Sequence, residues 1–361
     1  MINVSISDVV DVYEKAIKPH TKNKRKLYQF EKYRMQNIIE VCNSLKNFNS
    51  NYRCLYNIFI VFEPKCRVIM SLNIKDKIIN HYFANKLLIE KLEKYLIDRN
   101  IATRKDMGTD YGRKKIKEYL EKCKKYDKFY ILKLDISKFF YSIDHEVLKS
   151  LLSEKLDPEE VEILSTIIDT TNQDYINNNI KRIMEKYNVE LPLYKNGKGL
   201  PIGNMTSQFL AIFYLYKLDF EIVHKLHIPY FIRYMDDFIL IDPDRKKLKK
   251  AYEYIKSELE NKYKLVLNSK KTMIVTNKEG FSFLGYHFRV INKKTIMNIC
   301  SRNKRVIRKK VKENAWLYKR HYISFEKAFC SMQSYINNYR YGSSAYVKRI
   351  VESRWFDEFR K

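Results

Sequence analysis

The chain has 361 residues with 45% hydrophobic content, enough to bury two or three lobes around cores of their own. Its 70 Lys+Arg against 42 Asp+Glu give a net charge of +28, and the basic residues are spread along the chain among 29 Tyr and 20 Phe. That spread excludes a membrane-surface protein, which would gather its charge on one amphipathic helix, and favours a nucleic-acid partner whose bases can stack on aromatic rings. An AT-rich codon bias would enrich Lys, Asn, Ile and Tyr together but would not by itself unbalance the charge. No apolar run approaches the ~20 residues of a membrane span, and Met1 to Asp11 lacks a signal-peptide core, so a cytoplasmic chain is expected. Cys42, Cys54, Cys66, Cys123, Cys300 and Cys330 are scattered with no C-x-x-C pair, and His224 and His227 have no ligand partners nearby. Reduced thiols are expected, with neither a zinc site nor a disulfide framework.

Residues 1–50 read as helical and basic, with Lys22-Asn23-Lys24-Arg25-Lys26 near their middle. A strand pair follows, Tyr56–Phe62 and Arg67–Met70, around the turn Glu63-Pro64-Lys65-Cys66. Apolar residues at helical spacing over 74–98 predict a helix with one buried face. Residues 129–136 predict an apolar strand ending at Asp135, and Asp144 predicts an N-cap ahead of Val147, Leu148, Leu151 and Leu152. Three of the eight glycines fall in Gly197-Lys198-Gly199-Leu200-Pro201-Ile202-Gly203. Thr206 or Ser207 could then cap one long apolar helix through Leu218. Phe231 to Ile241 reads as two short strands around Asp236 and Asp237, followed by a charged helix near 244–262 and a strand–turn–strand stretch over 264–292. Helices are expected from 293 onward, where residues 291–361 hold 18 Lys+Arg against 5 Asp+Glu.

Two adjacent carboxylates held between apolar strands need a counter-charge. It can be a divalent metal with oxygen ligands, a basic neighbour, or solvent around a surface turn. If the strand ending at Asp135 lies beside the Asp236-Asp237 hairpin in one antiparallel sheet, three carboxylates share one rim. Such a cluster suits two Mg²⁺ ions about 3.5–4 Å apart and in-line phosphoryl transfer.

With these motifs in this order, the chain resembles a prokaryotic reverse transcriptase from about residue 56 to 340. The resemblance implies an α+β right-hand polymerase fold: an N-terminal helical extension (1–55), fingers (56–128), a palm of antiparallel sheet flanked by helices (129–290, with a fingers-side insertion at about 156–198), and a basic helical thumb (291–361). Leu134-Asp135-Ile136-Ser137-Lys138-Phe139-Phe140 resembles palm motif A. There Asp135 would be a metal ligand, Ile136 would lend its carbonyl, and Phe140 would be the steric gate against a ribose 2′-hydroxyl. Tyr234-Met235-Asp236-Asp237 resembles motif C and gives Asp236 and Asp237 the remaining metal-binding roles. Lys65 and Arg67 on the fingers pair would offer cations to the triphosphate, with Ile202, Gly203 and Lys271 also at the nucleotide. Leu267-Asn268-Ser269-Lys270-Lys271-Thr272 is similar to motif D, and Phe283-Leu284-Gly285-Tyr286 to the primer-grip turn. Template–primer contacts are expected from Gln208, Tyr234, Phe283, Leu284, Gly285, Arg305 and Lys309. The implied cofactors are two Mg²⁺ ions, with Mn²⁺ as a substitute. The implied partners are an RNA template, a DNA or RNA primer, dNTPs and a small accessory protein.

Gly199-Leu200-Pro201-Ile202-Gly203-Asn204-Met205-Thr206-Ser207-Gln208 carries the subfamily signal. Retroviral and group II intron enzymes usually have Gln where this chain has Ile202. The Ile and the Ser-Gln ending resemble the enzymes of diversity-generating retroelements, and also some defence-associated bacterial relatives. Ile offers the nascent pair apolar contact alone, so low fidelity is expected. Each assignment has a plainer reading. Asp135 could cap a strand end, Phe140 could be core, Arg67 could form a surface salt bridge, and Lys270, Lys271 and the basic residues of 302–312 could be solvated. Three other functions are open: a defence-associated reverse transcriptase with untemplated or protein-primed synthesis, a catalytically idle nucleic-acid-binding scaffold, and an RNA-dependent RNA polymerase, which the bulk of Phe140 disfavours. With the chain ending at the thumb, no ribonuclease H, endonuclease or maturase domain is expected.

Overall fold

The structure, a computed structural model, describes residues 4–49, 51–62, 66–337 and 345–360. Helices α1 (Ile6–Val12), α2 (Lys24–Lys32) and α3 (Arg34–Lys46) come first, α1 running into a π-helical turn over Tyr13–Ile17. Strands β1 (Asn57–Val61) and β2 (Arg67–Ser71) precede α4 (Ile74–Phe83), which continues through a π-helical stretch, Ala84–Ile89, into the short α5 (Glu90–Leu92). Next come α6 (Thr109–Cys123), β3 (Tyr130–Asp135), α7 (Phe139–Ser142), α8 (His145–Ser153), α9 (Pro158–Ile168) and α10 (Asp174–Tyr187). They are followed by α11 (Met205–Phe213), α12 (Tyr216–His224), β4 (Tyr230–Tyr234), β5 (Asp237–Asp242) and α13 (Arg245–Asn261). The chain ends with β6 (Met273–Thr276), β7 (Phe281–Phe283), β8 (Tyr286–Ile291), β9 (Lys294–Ile299), α14 (Ser301–Lys319), α15 (Phe325–Asn337) and α16 (Ala345–Arg360). The architecture is α+β, as expected. Its sheets are β1-β2, β4-β5-β3-β6 and β7-β8-β9. Among the described residues no helix is long and apolar enough to cross a membrane.

The chain folds into two compact units. The first is Met1–Thr103, Asp135–His227 and Glu253–Asn268; the second is Arg104–Leu134, Ile228–Tyr252 and Ser269–Lys361.

In the first unit β2 alternates exposed and buried positions, so Val68 and Met70 face a core shared with Cys54, Tyr56 and the apolar face of α10, Ile176 and Ile180. Helix α8 starts where its sequence says it should: the Asp144 carboxylate accepts from Val147 N–H at 3.2 Å. Helix α9 is fixed by a reciprocal capping box between Asp157 and Glu160 with Pro158 at its first position. Two expectations fail here. Thr206 and Ser207 are buried and cap nothing; Thr206 exchanges hydrogen bonds with Asn80, and Asn204 takes the N-cap position while giving its amide to the Tyr56 hydroxyl. The expected single long helix is also two helices, α11 and α12, interrupted at Tyr214 and Leu215. The Tyr214 hydroxyl is held between the Tyr263 carbonyl, to which it donates at 2.8 Å, and the Asp144 N–H.

In the second unit β5 and β3 occupy the middle of the four-stranded sheet, and their cores are fully buried at Phe238, Ile239, Leu240, Ile131 and Leu132. Helix α6 covers β4, its Tyr119 hydroxyl donating to the Phe231 carbonyl at 3.3 Å. Residues 294–299, expected as helix, form β9, which pairs with β8 from Tyr286↔Ile299 to Ile291↔Lys294. The two turn residues Asn292 and Lys293 both have positive φ, 47° and 58°, which is what a tight hairpin turn demands. Helices begin at Ser301. In α14 the residues Ile307, Val311 and Ala315 are buried, while Arg305 and Lys309 stand exposed one turn apart.

Candidate active site

The Asp-Asp hairpin is a two-residue turn: Tyr234 pairs with Asp237, leaving Met235 and Asp236 at the tip. Met235 has φ 55°, a left-handed conformation that costs an ordinary side chain about 1–2 kcal/mol. Arg233 helps hold it there. This arginine is fully buried, donates to the Met235 carbonyl at 2.9 Å, and sets its guanidinium 5.6 Å from the centre of the Phe238 ring.

Asp237 opens β5 and is half-buried, with the Lys133 ammonium 3.0 Å from its carboxylate oxygens. Lys133 also donates to the Ser282 carbonyl of β7. Of the counter-charges the sequence allowed, the basic neighbour is present. Among the described residues no group of three or more His, Cys, Asp or Glu side chains is gathered closely enough to hold a metal ion.

Asp135 is the last residue of β3, the strand next to β5 in the sheet order. Its side chain is buried within the first unit, where Asn268 serves it twice: the Asn268 N–H donates to the Asp135 carbonyl at 2.7 Å and its amide to the carboxylate at 3.3 Å. Ile136, also buried, makes an isolated bridge to Leu267. The segment resembling motif D therefore holds the segment resembling motif A through its asparagine.

The glycine-rich loop is tied down backbone to backbone in the same unit. Gly199 N–H donates to Ile143 and Leu200 N–H to Phe140, both at 2.7 Å, and Met70 N–H of β2 donates to the Ile202 carbonyl at 2.8 Å. Phe140, Ile202, Gly203 and the strand that begins at Arg67 are thus brought together. Phe140 and Ile202 are half-buried and Arg67 is exposed. Lys65 lies outside the described residues. Gln208 is half-buried on α11.

Behind the loop sits His145, 1% exposed, its Nε2 2.8 Å from the Gly199 carbonyl and its Nδ1 3.0 Å from Asp169. Burial pushes the Asp169 carboxyl up, but hydrogen bonds from His145 and Lys149 outweigh it and hold the group below its ordinary value. His145→Phe removes one partner each from Asp169 and the Gly199 carbonyl, with Asp169 keeping Lys149 and the carbonyl keeping the Thr171 hydroxyl, at a cost of about 1 kcal/mol. A urea melt of the full chain reads this directly, and an unchanged midpoint would show that the histidine does not anchor the loop.

In the second unit Phe283 is buried and Leu284 and Gly285 form the β7–β8 turn with φ 46° and 84°. Arg113 of α6 grips that turn. Its Nε and Nη2 donate to the Leu284 carbonyl at 3.2 and 3.0 Å, its Nη1 to Asp110 at 2.7 Å, and its guanidinium lies 4.9 Å from the centre of the Tyr286 ring. Lys271 is half-buried and Lys270 exposed. Arg113, Lys133, Arg233 and Asn268 are the residues sequence reasoning missed. Lys133 and Arg233 each stand out as a charged residue inside an apolar strand, and Asn268 lies in the segment similar to motif D.

The reverse transcriptase (RNA-dependent DNA polymerase) family matches residues 63–288, more than half of the chain, and the chain belongs to that family. Among solved structures it is similar to apo telomerase from Candida tropicalis truncated from its C-terminal domain. That match has 14% identity and a TM-score of 0.45, and covers 66% of this chain and 54% of that one. It is also similar to telomerase from Candida albicans in complex with a TWJ fragment of telomeric RNA, with 15% identity and a TM-score of 0.45, covering 92% of this chain and 59% of that one. The chain spans a little over half the length of these two telomerases. No curated protein matches it.

Proposed function

We propose that the chain is an RNA-directed DNA polymerase that makes cDNA by two-metal nucleotidyl transfer. The observation that carries this reading is a Tyr-Met-Asp-Asp turn on β5, beside a strand that ends on Asp135, in a chain of the reverse transcriptase family. Residues 1–55 form an N-terminal extension, 56–128 the fingers, 129–290 the palm with a fingers-side insertion at about 156–198, and 291–361 the thumb. Asp135, Asp236 and Asp237, with the Ile136 carbonyl, would supply the all-oxygen ligands that two Mg²⁺ ions, or Mn²⁺ in their place, require. When bound, such ions activate a primer 3′-hydroxyl and stabilise the departing pyrophosphate.

The protein's own groups prepare that chemistry. Asn268 orients Asp135, Arg233 braces the turn carrying Asp236, and Lys133 holds Asp237. Lys65, Arg67 and Lys271 meet the triphosphate, the Phe140 ring excludes a 2′-hydroxyl, and Ile202 with Gly203 walls the nascent pair. Gln208, Tyr234, Phe283, Leu284, Gly285, Arg305 and Lys309 contact template and primer, mostly at phosphates. The partners are an RNA template, a DNA or RNA primer, dNTPs and a small basic accessory protein, in the cytoplasm. Primer extension on an RNA template separates the readings: extension with dNTPs supports the polymerase, extension with NTPs alone makes it an RNA polymerase, and none with either makes it a scaffold.

The enzyme is of the diversity-generating-retroelement type and of low fidelity. Ile202 presents no polar group to the sugar or base, and its backbone is committed to β2. Ile202→Gln restores one hydrogen bond, about 1 kcal/mol of discrimination and so about a fivefold lower misincorporation rate. Sequencing of cDNA from both chains measures it, and equal error rates would remove the fidelity assignment.

A further inference from the structure

The first unit carries a group of cations that no part of the polymerase reading uses. Lys77 and His81 lie one turn apart on α4 and are half-buried. Helix α2 and the π-helical turn after α1 pack against α4. Burial pushes both side chains toward their neutral forms, and positive neighbours add to the push: Lys26 acts on Lys77, and Lys77 and His20 act on His81.

A half-buried cation ordinarily finds a carboxylate. Here the carboxylates of the surrounding helices are engaged elsewhere. Asp76 takes the Tyr52 hydroxyl and the Asn73 amide, Glu40 pairs with Lys75, Glu14 with Arg34, and Glu31 with Lys18 and the Tyr13 hydroxyl. Among the described residues none is paired with Lys26, Lys77, His20 or His81. That leaves the place beside Lys77 and His81 open to an anion from outside the chain.

The rim identifies the kind of anion. Residues 20–35 contain six Lys or Arg and a single carboxylate. On α2, Lys24, Tyr28 and Lys32 recur every four residues on one exposed face, across the helix from Lys26, so a strand seated at Lys26 reaches Tyr28 by crossing α2. Tyr28 is 70% exposed and Tyr33 54%, a large outlay of aromatic surface for a helix with its own buried side at Phe30. Alternating cations and exposed rings suit a flexible polyanion whose bases stack while its phosphates are neutralised. A bilayer would call for Leu, Phe or Trp along that face.

We infer that α2 and α4 form a second nucleic-acid site, in which His20, Lys26, Lys77 and His81 seat a phosphate of a single strand and Tyr28 and Tyr33 stack its bases. The site lies outside the residues assigned to nucleotide, template or primer, so it acts as a tether for unpaired strand rather than as part of polymerisation.

The test uses the full chain and a fluorescein-labelled 20-nucleotide oligouridylate, with no nucleotides present. Anisotropy gives Kd at several salt concentrations for the parent, for Lys26→Gln/Lys77→Gln/His81→Gln, and for Tyr28→Ala/Tyr33→Ala. The first variant should bind about tenfold more weakly at 0.1 M salt, with a salt slope shallower by about 1.4, the share expected for two lysines on a single strand. The tyrosine variant should also weaken binding at least tenfold with its slope unchanged. Removing uncompensated charge should leave the melting temperature of the first variant level or higher, so lost binding cannot be lost fold. Both variants should extend a fully annealed short template–primer at the parent rate. Unchanged affinity and slope would overturn the inference, as would RNA binding that is intact while binding to phosphatidylserine vesicles is lost. Because binding is read without catalysis, an inactive chain whose variants shift RNA affinity counts against the polymerase alone.

Discussion

An Asp236→Ala chain should incorporate dNTPs at about one thousandth of the parent rate or less. The carboxylate at the tip of the β4–β5 turn is proposed to hold the ions that neutralise charge on the transferring phosphate, a contribution of several kcal/mol. About 4 kcal/mol corresponds to about a thousandfold. The substitution removes one half-buried acid from a turn whose shape is set by Arg233 and by the Tyr234↔Asp237 pair, so the fold should survive. Circular dichroism should show an unchanged melt, and a filter assay should show template–primer binding within about threefold of the parent. Asp135→Ala should lose as much activity. Retention of a tenth or more of the parent rate in either chain would remove these carboxylates from the chemistry.

Gly203→Ala should damage both the fold and the nucleotide site with a single methyl group. Gly203 has φ 131°, a region closed to side chains at a cost of about 1–3 kcal/mol, and an added Cβ would stand 2.7 Å from the Met70 carbonyl oxygen. That oxygen belongs to backbone, and Met70 is itself fixed by its N–H bond to Ile202, so neither side can yield by rotating a side chain. Strain and clash together should cost about 3 kcal/mol and push the loop off β2. The expected results are a melt lowered by several degrees and a KM for dNTP raised at least tenfold. Gly197→Ala is the control. It shares a positive φ, 68°, but nothing lies within 4 Å of the added methyl, so only the conformational cost of about 1 kcal/mol remains. Equal behaviour of the two variants would mean that contact with β2 does not govern the loop.

What the sequence disclosed and what it concealed divide along one physical line. Elements specified by their own residues were legible: β3 from its apolar run, α8 from Asp144, the β4–β5 hairpin from two apolar segments around an acidic turn. Features decided by distant residues were not. Nothing local announces a break between α11 and α12, because Tyr214 is fixed by the Tyr263 carbonyl and the Asp144 N–H. The same holds at the site. Asn268 reaches Asp135 across 133 residues of chain, Lys133 reaches Asp237 across 104, and Arg113 reaches Leu284 across 171. The carboxylates could be named from sequence, but the groups that hold them needed the fold. β9 is the exception, since Asn292-Lys293 between apolar stretches was a readable hairpin signal that the basic composition of the segment obscured.

The grip of Arg113 on the β7–β8 turn has a mechanical side. Two parallel N–H groups from one planar fork fix both the position and the tilt of the Leu284 carbonyl, while Asp110 and the Tyr286 ring hold the fork itself. A lysine could supply the charge but would leave the carbonyl free to pivot. On the other flank, one ammonium bridges Ser282 to Asp237. The turn is a loop only in its dihedral angles. In its response to force it is part of helix α6 and of the acidic hairpin, so a strand end resting against it would feel the stiffness of three secondary-structure elements.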